Sequence, residues 1–176
     1  MRKVTYGAAC SLDGFIAGAD GSIDWLHFSP DVQKIMADYW KNVDTLLMGR
    51  KTWDFAAQQK GGGSGGGIHS YVFSRTLDKI ARKGVTLVKD DPGEFVRGLK
   101  ERDGKDICVL GGGDFARSLL AAGVVDEVGL NVHPILLGAG APLFLDSGRR
   151  IPLELTESRR IDGGCVYSLY RVTVER

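Results

Sequence analysis

The strongest constraint in this sequence is Val109-Leu110-Gly111-Gly112-Gly113-Asp114-Phe115-Ala116, an apolar run that ends in three consecutive glycines. Helical spacing follows, with Phe115, Leu119 and Leu120 on one side and Gly123 placed to stop the helix. Glycines between a strand and a helix bend the chain sharply and let a ligand approach the backbone. The free N–H groups of the helix start then face that ligand, commonly a phosphate. Tight packing makes the same demand of a turn, so the motif alone leaves both readings open.

The rest of the chain alternates in the same way. Lys3–Cys10 reads as a strand, turned by Ser11-Leu12-Asp13-Gly14, with Phe15–Ala17 extended before a second turn at Gly18–Gly21. Ser29 or Pro30 opens a helix carrying Val32, Ile35, Met36, Tyr39 and Trp40 on one face, with Asp31 in its first turn. Val43–Met48 is a buried strand, and Gly49-Arg50-Lys51-Thr52 begins a helix running through Phe55. Tyr71–Ser74 and Val85–Val88 read as short strands, and Pro92 opens a helix with Phe95, Val96 and Leu99. Ile107–Leu110 and Val124–Val132 are the next strands, and Leu153–Arg160 with Cys165–Val174 form a hairpin across Asp162-Gly163-Gly164. Strands alternating with helices predict an α/β fold: a largely parallel sheet, helices on both faces, and an antiparallel C-terminal hairpin. A chain of 176 residues fits one domain over 1–176, with Gly61–Gly67 a flexible glycine-rich loop within it. Trp40, Trp53, Phe115 and Phe144 are expected in the core.

Charge narrows the partners. Lys plus Arg total 23 against 22 Asp plus Glu, a balance that argues against a nucleic-acid or acidic-membrane surface. The longest uncharged stretch, Val128–Leu145, is broken by Asn131, His133, two prolines and several glycines and predicts no membrane span. No secretory signal is visible at Met1–Tyr6, and the expected location is the cytoplasm. Cys10, Cys108 and Cys165 lie far apart without metal-ligand spacing, which predicts buried free thiols and no metal site.

Four segments suit a polyanion. Met48-Gly49-Arg50-Lys51-Thr52-Trp53 sets two cations and a hydroxyl at a helix start, where cations oppose the helix dipole unless an anion neutralises them. Tyr71-Val72-Phe73-Ser74-Arg75 ends a strand with a hydroxyl and a guanidinium, a pair suited to a phosphate monoester. The triple-glycine turn is the third, and Ser11-Leu12-Asp13-Gly14 the fourth. Ligands of parallel sheets sit beyond the carboxyl ends of the strands, so Met48, Ser74 and Leu110 are expected around one crevice. A standard dinucleotide fold is rejected, because its glycine turn follows the first strand and precedes an acid about 20 residues on. Here the turn comes late and Asn131 stands near the acid's place.

In that order, Met48-Gly49-Arg50-Lys51-Thr52-Trp53, Phe73-Ser74-Arg75 and Gly111-Gly112-Gly113 resemble the NADPH-binding motifs of dihydrofolate reductase. Val125–Val128, His133-Pro134, Leu137-Gly138 and Pro142–Phe144 resemble the segment that follows in that superfamily. Ala9-Cys10-Ser11-Leu12-Asp13-Gly14, with Trp25 downstream, is similar to the reductase domain of riboflavin-biosynthesis proteins. The resemblance spans about residues 3 to 174 and implies a three-layer dihydrofolate-reductase-like fold.

It further implies an NADPH-dependent reductase that transfers a hydride to a small pterin- or pyrimidine-like heterocycle. Arg50, Ser74 and Arg75 would meet the adenosine 2′-phosphate; Lys51, Thr52 and the backbone of Gly111, Gly112 and Gly113 would meet the pyrophosphate, with Gly49 also on the cofactor side. Two arginines without a suitably placed acid independently favour NADP over NAD. Asp13 would stand beside the nicotinamide and substrate, where proton transfer and turn capping both remain open. Trp25 and Asp31 are the substrate-side candidates, although Asp31 is spaced one residue long for a folate enzyme's helix carboxylate. The zinc motifs of the deaminase partner found in bifunctional riboflavin enzymes are absent. The resemblance also implies a homodimer. The rival reading is a non-catalytic or flavin- or nucleotide-binding module on the same fold.

Overall fold

A computed structural model describes residues 1–58 and 67–173. Strands β1 (Val4–Ser11), β2 (Phe15–Gly18), β3 (Val43–Gly49), β4 (His69–Phe73), β5 (Val85–Val88), β6 (Asp106–Leu110), β7 (Glu127–His133), β8 (Gly140–Pro142), β9 (Leu153–Arg160) and β10 (Val166–Val172) alternate with four helices. These are α1 (Pro30–Trp40), α2 (Arg50–Gln58), α3 (Pro92–Lys100) and α4 (Gly113–Ala121). Eight strands form one sheet in the order β5-β4-β3-β6-β1-β7-β10-β9, and β2 pairs with β8 in a small antiparallel sheet. From β5 to β7 every neighbour is parallel; β10 runs antiparallel to β7 and β9 to β10. The expected α/β architecture with its C-terminal hairpin is therefore present.

Local chemistry starts the helices where the sequence places them. Ser29 Oγ accepts from Val32 N at 3.3 Å with Pro30 at the first helical position, and Asp91 Oδ1 accepts from Glu94 N at 3.0 Å ahead of Pro92. At the other end of α3, Lys100 Nζ lies 2.7 Å from Asp126 Oδ2, tying the helix to the lead-in of β7. Hence β7 begins at Glu127, three residues later than the sequence suggests: Asp126 is spent accepting from Val4 N and from Lys100, while Val124 and Val125 pack inward.

Alternation along the strands separates two apolar clusters. Val4 and Tyr6, Leu47, Ile107 and Val109, and Val128 pack with Val96 and Leu99 of α3 and Phe115, Ala116, Leu119 and Leu120 of α4. On the opposite face, Val43, Leu46, Met48 and Cys108 pack with Trp53 of α2 and with Tyr39 and Trp40 of α1. Trp53 and Phe115 are buried as expected. Phe144 is not core: it is half-exposed and meets Tyr6 edge-on at 5.9 Å. All three cysteines are buried free thiols, and burial pushes Cys10 and Cys108 up to about 11. The Gly61–Gly67 loop lies outside the described residues except for Gly67. Among the described residues no helix is long and apolar enough to cross a membrane.

The β2–β8 pair is the element the sequence did not announce. Leu143 N donates to Gly14 O at 2.8 Å, and the Tyr6 hydroxyl donates to Leu143 O at 3.2 Å. A side chain on Gly140 would collide with Ala17 O, so this position admits glycine alone. The pair folds the loop after β1 against residues 140–143 and carries both towards the glycine turn, where Pro142 O stands 2.6 Å from where a Cβ on Gly113 would lie.

Candidate functional site

A cleft of about 1170 Å³ lies over the sheet face that α3 and α4 leave free. Its floor is the second set of alternating residues: Thr5, Gly7 and Ala9 of β1, Gly129 and Asn131 of β7, and Tyr167 and Leu169 of β10. Leu169 apart, these are small or polar, whereas their strand neighbours Val4, Tyr6 and Val128 are fully buried core residues. The roof is the apolar face of α1 with the preceding segment, including Leu26, Phe28, Val32, Ile35 and Met36. That face is helical, as its spacing predicts, and it both lines the space and packs: Val32 and Ile35 cluster with Ile161, Cys165 and Tyr167, and Tyr39 and Trp40 join the second cluster.

At one end of the cleft two helix starts stand side by side. Gly49, Arg50, Lys51 and Thr52 at the opening of α2, and Gly111, Gly112 and Gly113 at the opening of α4, all line it. Gly111 and Gly112 have φ of +59° and +69°, a region costly for any side chain. A Cβ on either would stand 3.2 or 3.1 Å from Thr52 Oγ1, and one on Gly49 would stand 3.2 Å from Phe115 Cβ. The two turns therefore touch only because three positions lack side chains. No side chain caps α4 at Gly112, and α2 carries Arg50 and Lys51 in its first turn with no acidic residue. Arg50 is held by Asp54, with Nε 2.9 and 2.7 Å from the two carboxylate oxygens, and its Nη1 donates to Thr76 Oγ1 at 3.4 Å. Both partners are half-exposed, so the pair adds little stability.

Ser74 and Arg75 do not line the cleft itself. Ser74 Oγ accepts from Thr76 N at 3.2 Å and Leu77 N at 3.1 Å, closing the turn after β4. Thr76 then links this turn to Arg50. Seven of the nine expected cofactor-side residues line one end of the cleft, and the other two sit on the adjoining turn.

The substrate-side expectations are dispersed. Asp13 lies outside the cleft lining: Oδ1 accepts from Ser11 Oγ at 2.6 Å and Leu137 N at 3.1 Å, and Oδ2 from Gly138 N at 2.8 Å. These bonds, that of Ser11 first, hold its pKa below the ordinary carboxylate value. Asp31 is not brought to the cleft. It sits at a separate depression with Arg160–Gly164, where Oδ2 accepts from Asp162 N at 3.4 Å. One residue along a helix turns the side chain by about 100°, which takes Asp31 off the face that carries Val32 and Ile35. Trp25 also lies outside the lining, stacked edge-on at 5.3 Å against His133, while Leu26, His27 and Phe28 beside it form part of the wall.

His133 lines the cleft from the end of β7 and is buried. His27 N donates to its Nδ1 at 3.4 Å, Cys165 Sγ lies 3.4 Å from the same nitrogen, and Nε2 is 3.2 Å from the Asn131 amide. An Nδ1 that accepts from a backbone N–H leaves the proton on Nε2. Burial first, then His27, lowers the pKa of His133, and burial raises that of Cys165, so the pair is a neutral thiol and a neutral imidazole and not an activated nucleophile. The cleft floor was legible in the alternation of small or polar with large apolar residues in β1, but nothing local marked α1 as its roof.

The chain resembles known proteins over most of its length. Residues 2–167 match the family described as RibD C-terminal domain. The uncharacterized protein YyaP of Bacillus subtilis (strain 168) is 35% identical over 181 residues, 97% of this chain and 95% of that one. A solved structure from Shewanella sp. PV-4, assigned by name to riboflavin biosynthesis, superposes with a TM-score of 0.85 at 26% identity over 98% of this chain and 99% of that one. Two further structures share the fold at lower identity. One is the diaminohydroxyphosphoribosylaminopyrimidine deaminase/5-amino-6-(5-phosphoribosylamino)uracil reductase of Thermotoga maritima (TM-score 0.73, 19% identity, 98% of this chain and 57% of that one). The other is dihydrofolate reductase from Enterococcus faecalis complexed with NADP(H) (TM-score 0.72, 16% identity, 98% of this chain and 97% of that one). From the family match over residues 2–167 and these superpositions, the chain belongs to the RibD C-terminal domain family and has the dihydrofolate-reductase-like fold.

Proposed function

We propose that the chain is an NADPH-dependent reductase that delivers a hydride to a small pterin- or pyrimidine-like heterocycle held in the cleft. The observation that carries this reading is the meeting of two helix starts, Gly49–Thr52 and Gly111–Gly113, around Thr52 Oγ1. A cradle that only glycine backbone leaves open, beside the first-turn cations Lys51 and Arg50, the latter already paired with Asp54, fits a pyrophosphate. Reductases of this family, and a dihydrofolate reductase of the same fold complexed with NADP(H), support the choice of cofactor.

In this reading Lys51, Thr52 and the N–H groups of Gly111–Gly113 hold the pyrophosphate, while Arg50, Ser74 and Arg75 meet the 2′-phosphate at the outer rim. When bound, NADPH would supply a hydride, two electrons and a proton, which with a solvent proton would take a ring C=N to CH–NH and leave NADP⁺. The protein's share is positioning: the flat floor at Gly7 and Gly129 and the roof of α1 hold the acceptor ring face-on and exclude water. Asp13 serves as a positioning residue, because both its oxygens are occupied in pinning residues 137–138 to the turn after β1.

A second copy of the chain is the proposed partner. Strand β9 forms one end of the sheet, all eight of its residues are exposed, and edge strands of this kind are usually covered or paired.

Calorimetric titration tests the cofactor assignment: NADPH should bind more tightly than NADH. Equal affinity for the two nucleotides would overturn it.

A further inference from the structure

Charged side chains line the cleft at its two ends only. Its lining contains three Lys or Arg side chains among the described residues: Arg50, Lys51 and Lys3. Arg50 and Lys51 belong to the paired helix starts. Lys3 lies at the amino ends of the strands, 3.0 Å from Glu127 Oε1, where Asp106 also lines the cleft. That neighbourhood repels an anion. Between these ends, the wall facing the sheet is Leu26, Phe28, Val32, Ile35, Met36 and Tyr39. Phe28 and Met36 stay 64% and 41% exposed, large apolar side chains left at the rim. The imidazoles there are His27 and the buried, neutral His133, whose Nδ1 already accepts from His27 N.

We propose that the acceptor is an uncharged, flat ring compound without a phosphate group, held between α1 and the glycine-bearing floor of β1 and β7. An anion placed there would lose its hydration and find no free Lys or Arg among the described residues, which strongly disfavours binding. An apolar ring instead gains by covering Phe28 and Met36. The wall therefore contrasts with what the Thermotoga maritima reductase is named for, a phosphoribosylamino-uracil, which carries a phosphate. The inference rests on the reading of the glycine end as the NADPH site, since that leaves the α1 end to the acceptor.

Two matched probe pairs test it on the full chain: 1-naphthol against 1-naphthyl phosphate, and riboflavin against riboflavin 5′-phosphate, each followed by its own fluorescence. Saturating NADP⁺ closes the glycine end to the phosphate probes. The uncharged member of each pair should bind at least about tenfold more tightly. Equal or tighter binding of the phosphates, or no binding of either uncharged probe, would overturn the inference. Phe28→Arg places a cation on a mostly exposed position, so the fold is not at stake; it should narrow the preference in both pairs. An unchanged preference would remove the assignment of this wall to the acceptor. If NADP⁺ itself fails to bind, the cofactor reading falls, and the same comparison on the free chain decides the uncharged preference separately.

Discussion

Thr52 Oγ1 stands 3.1 Å from the point where a side chain on Gly112 would begin. The contact joins the first turn of α2 to the turn that opens α4, and it exists only while position 112 is bare. Gly112→Ala combines a φ of +69° with this crowding. The expected cost is about 1–2 kcal/mol of stability, together with weaker NADPH binding. A thermal melt and a nucleotide titration check both, and an unshifted melting temperature would contradict the crowding.

Removing the outer-rim guanidinium tests cofactor choice without touching the cradle. Arg75→Ala should lower NADPH affinity by about 1.5–3 kcal/mol, the worth of a charge-assisted contact, and leave NADH affinity unchanged. Titration calorimetry with both nucleotides reads the ratio. Equal losses for the two would place Arg75 away from the 2′-phosphate.

Asp13 has a pH signature. Its folded pKa lies below the ordinary value of 3.8, Ser11 being the first cause, so its contribution is present above that value and is lost as pH falls through the folded one. Asp13→Asn should melt earlier than the parent at neutral pH, bind NADPH unchanged, and converge with the parent in acid. Once an acceptor is known, a loss of about 10²–10⁴-fold in turnover with an unchanged melting temperature would instead mark proton transfer.

His133 carries the opposite sort of group. Its folded pKa is held below 6.5 by burial and then by His27. As pH drops through 6.5 the unfolded chain takes up a proton that the folded chain does not, so stability declines until the folded site protonates too. A protonated Nδ1 would also face the donating N–H of His27. The melting temperature of His133→Gln should therefore vary less between about pH 7 and about pH 5 than that of the parent. Parallel pH curves would show that this histidine does not titrate with folding.

Light scattering at micromolar concentration should give a particle of twice the 19.0 kDa chain mass. A particle of 19.0 kDa would leave the edge strand β9 without the second copy proposed for it.

What the sequence disclosed follows physical range. Helix starts were readable because Ser29-Pro30 and Asp91-Pro92 act on their own next few residues. The glycine turn was readable for the same reason. Strand β8 was not: three residues, Gly140–Pro142, owe their extended form to pairing with Phe15–Gly18, more than a hundred positions away. Nor could spacing tell whether Val32, Ile35 and Met36 face a core or a cleft, since both demand the same apolar stripe. Asp31 shows the limit at single-residue scale. Its segment resembles the substrate side of a family, yet a shift of one position along the helix turns the carboxylate to the other depression.

The roof of the cleft comes from one helix and the segment before it, and neither contributes to the glycine end. In the proposed reading the glycine end offers the backbone of Gly111–Gly113, which side-chain mutation leaves in place, beside Lys51 and Thr52; the wall under α1 offers side chains alone, which mutation replaces one at a time. On the proposed reading, substitutions under α1 therefore change the acceptor while the glycine end stays the same. A combinatorial library confined to Phe28, Val32, Ile35 and Met36 would carry out that change in the laboratory.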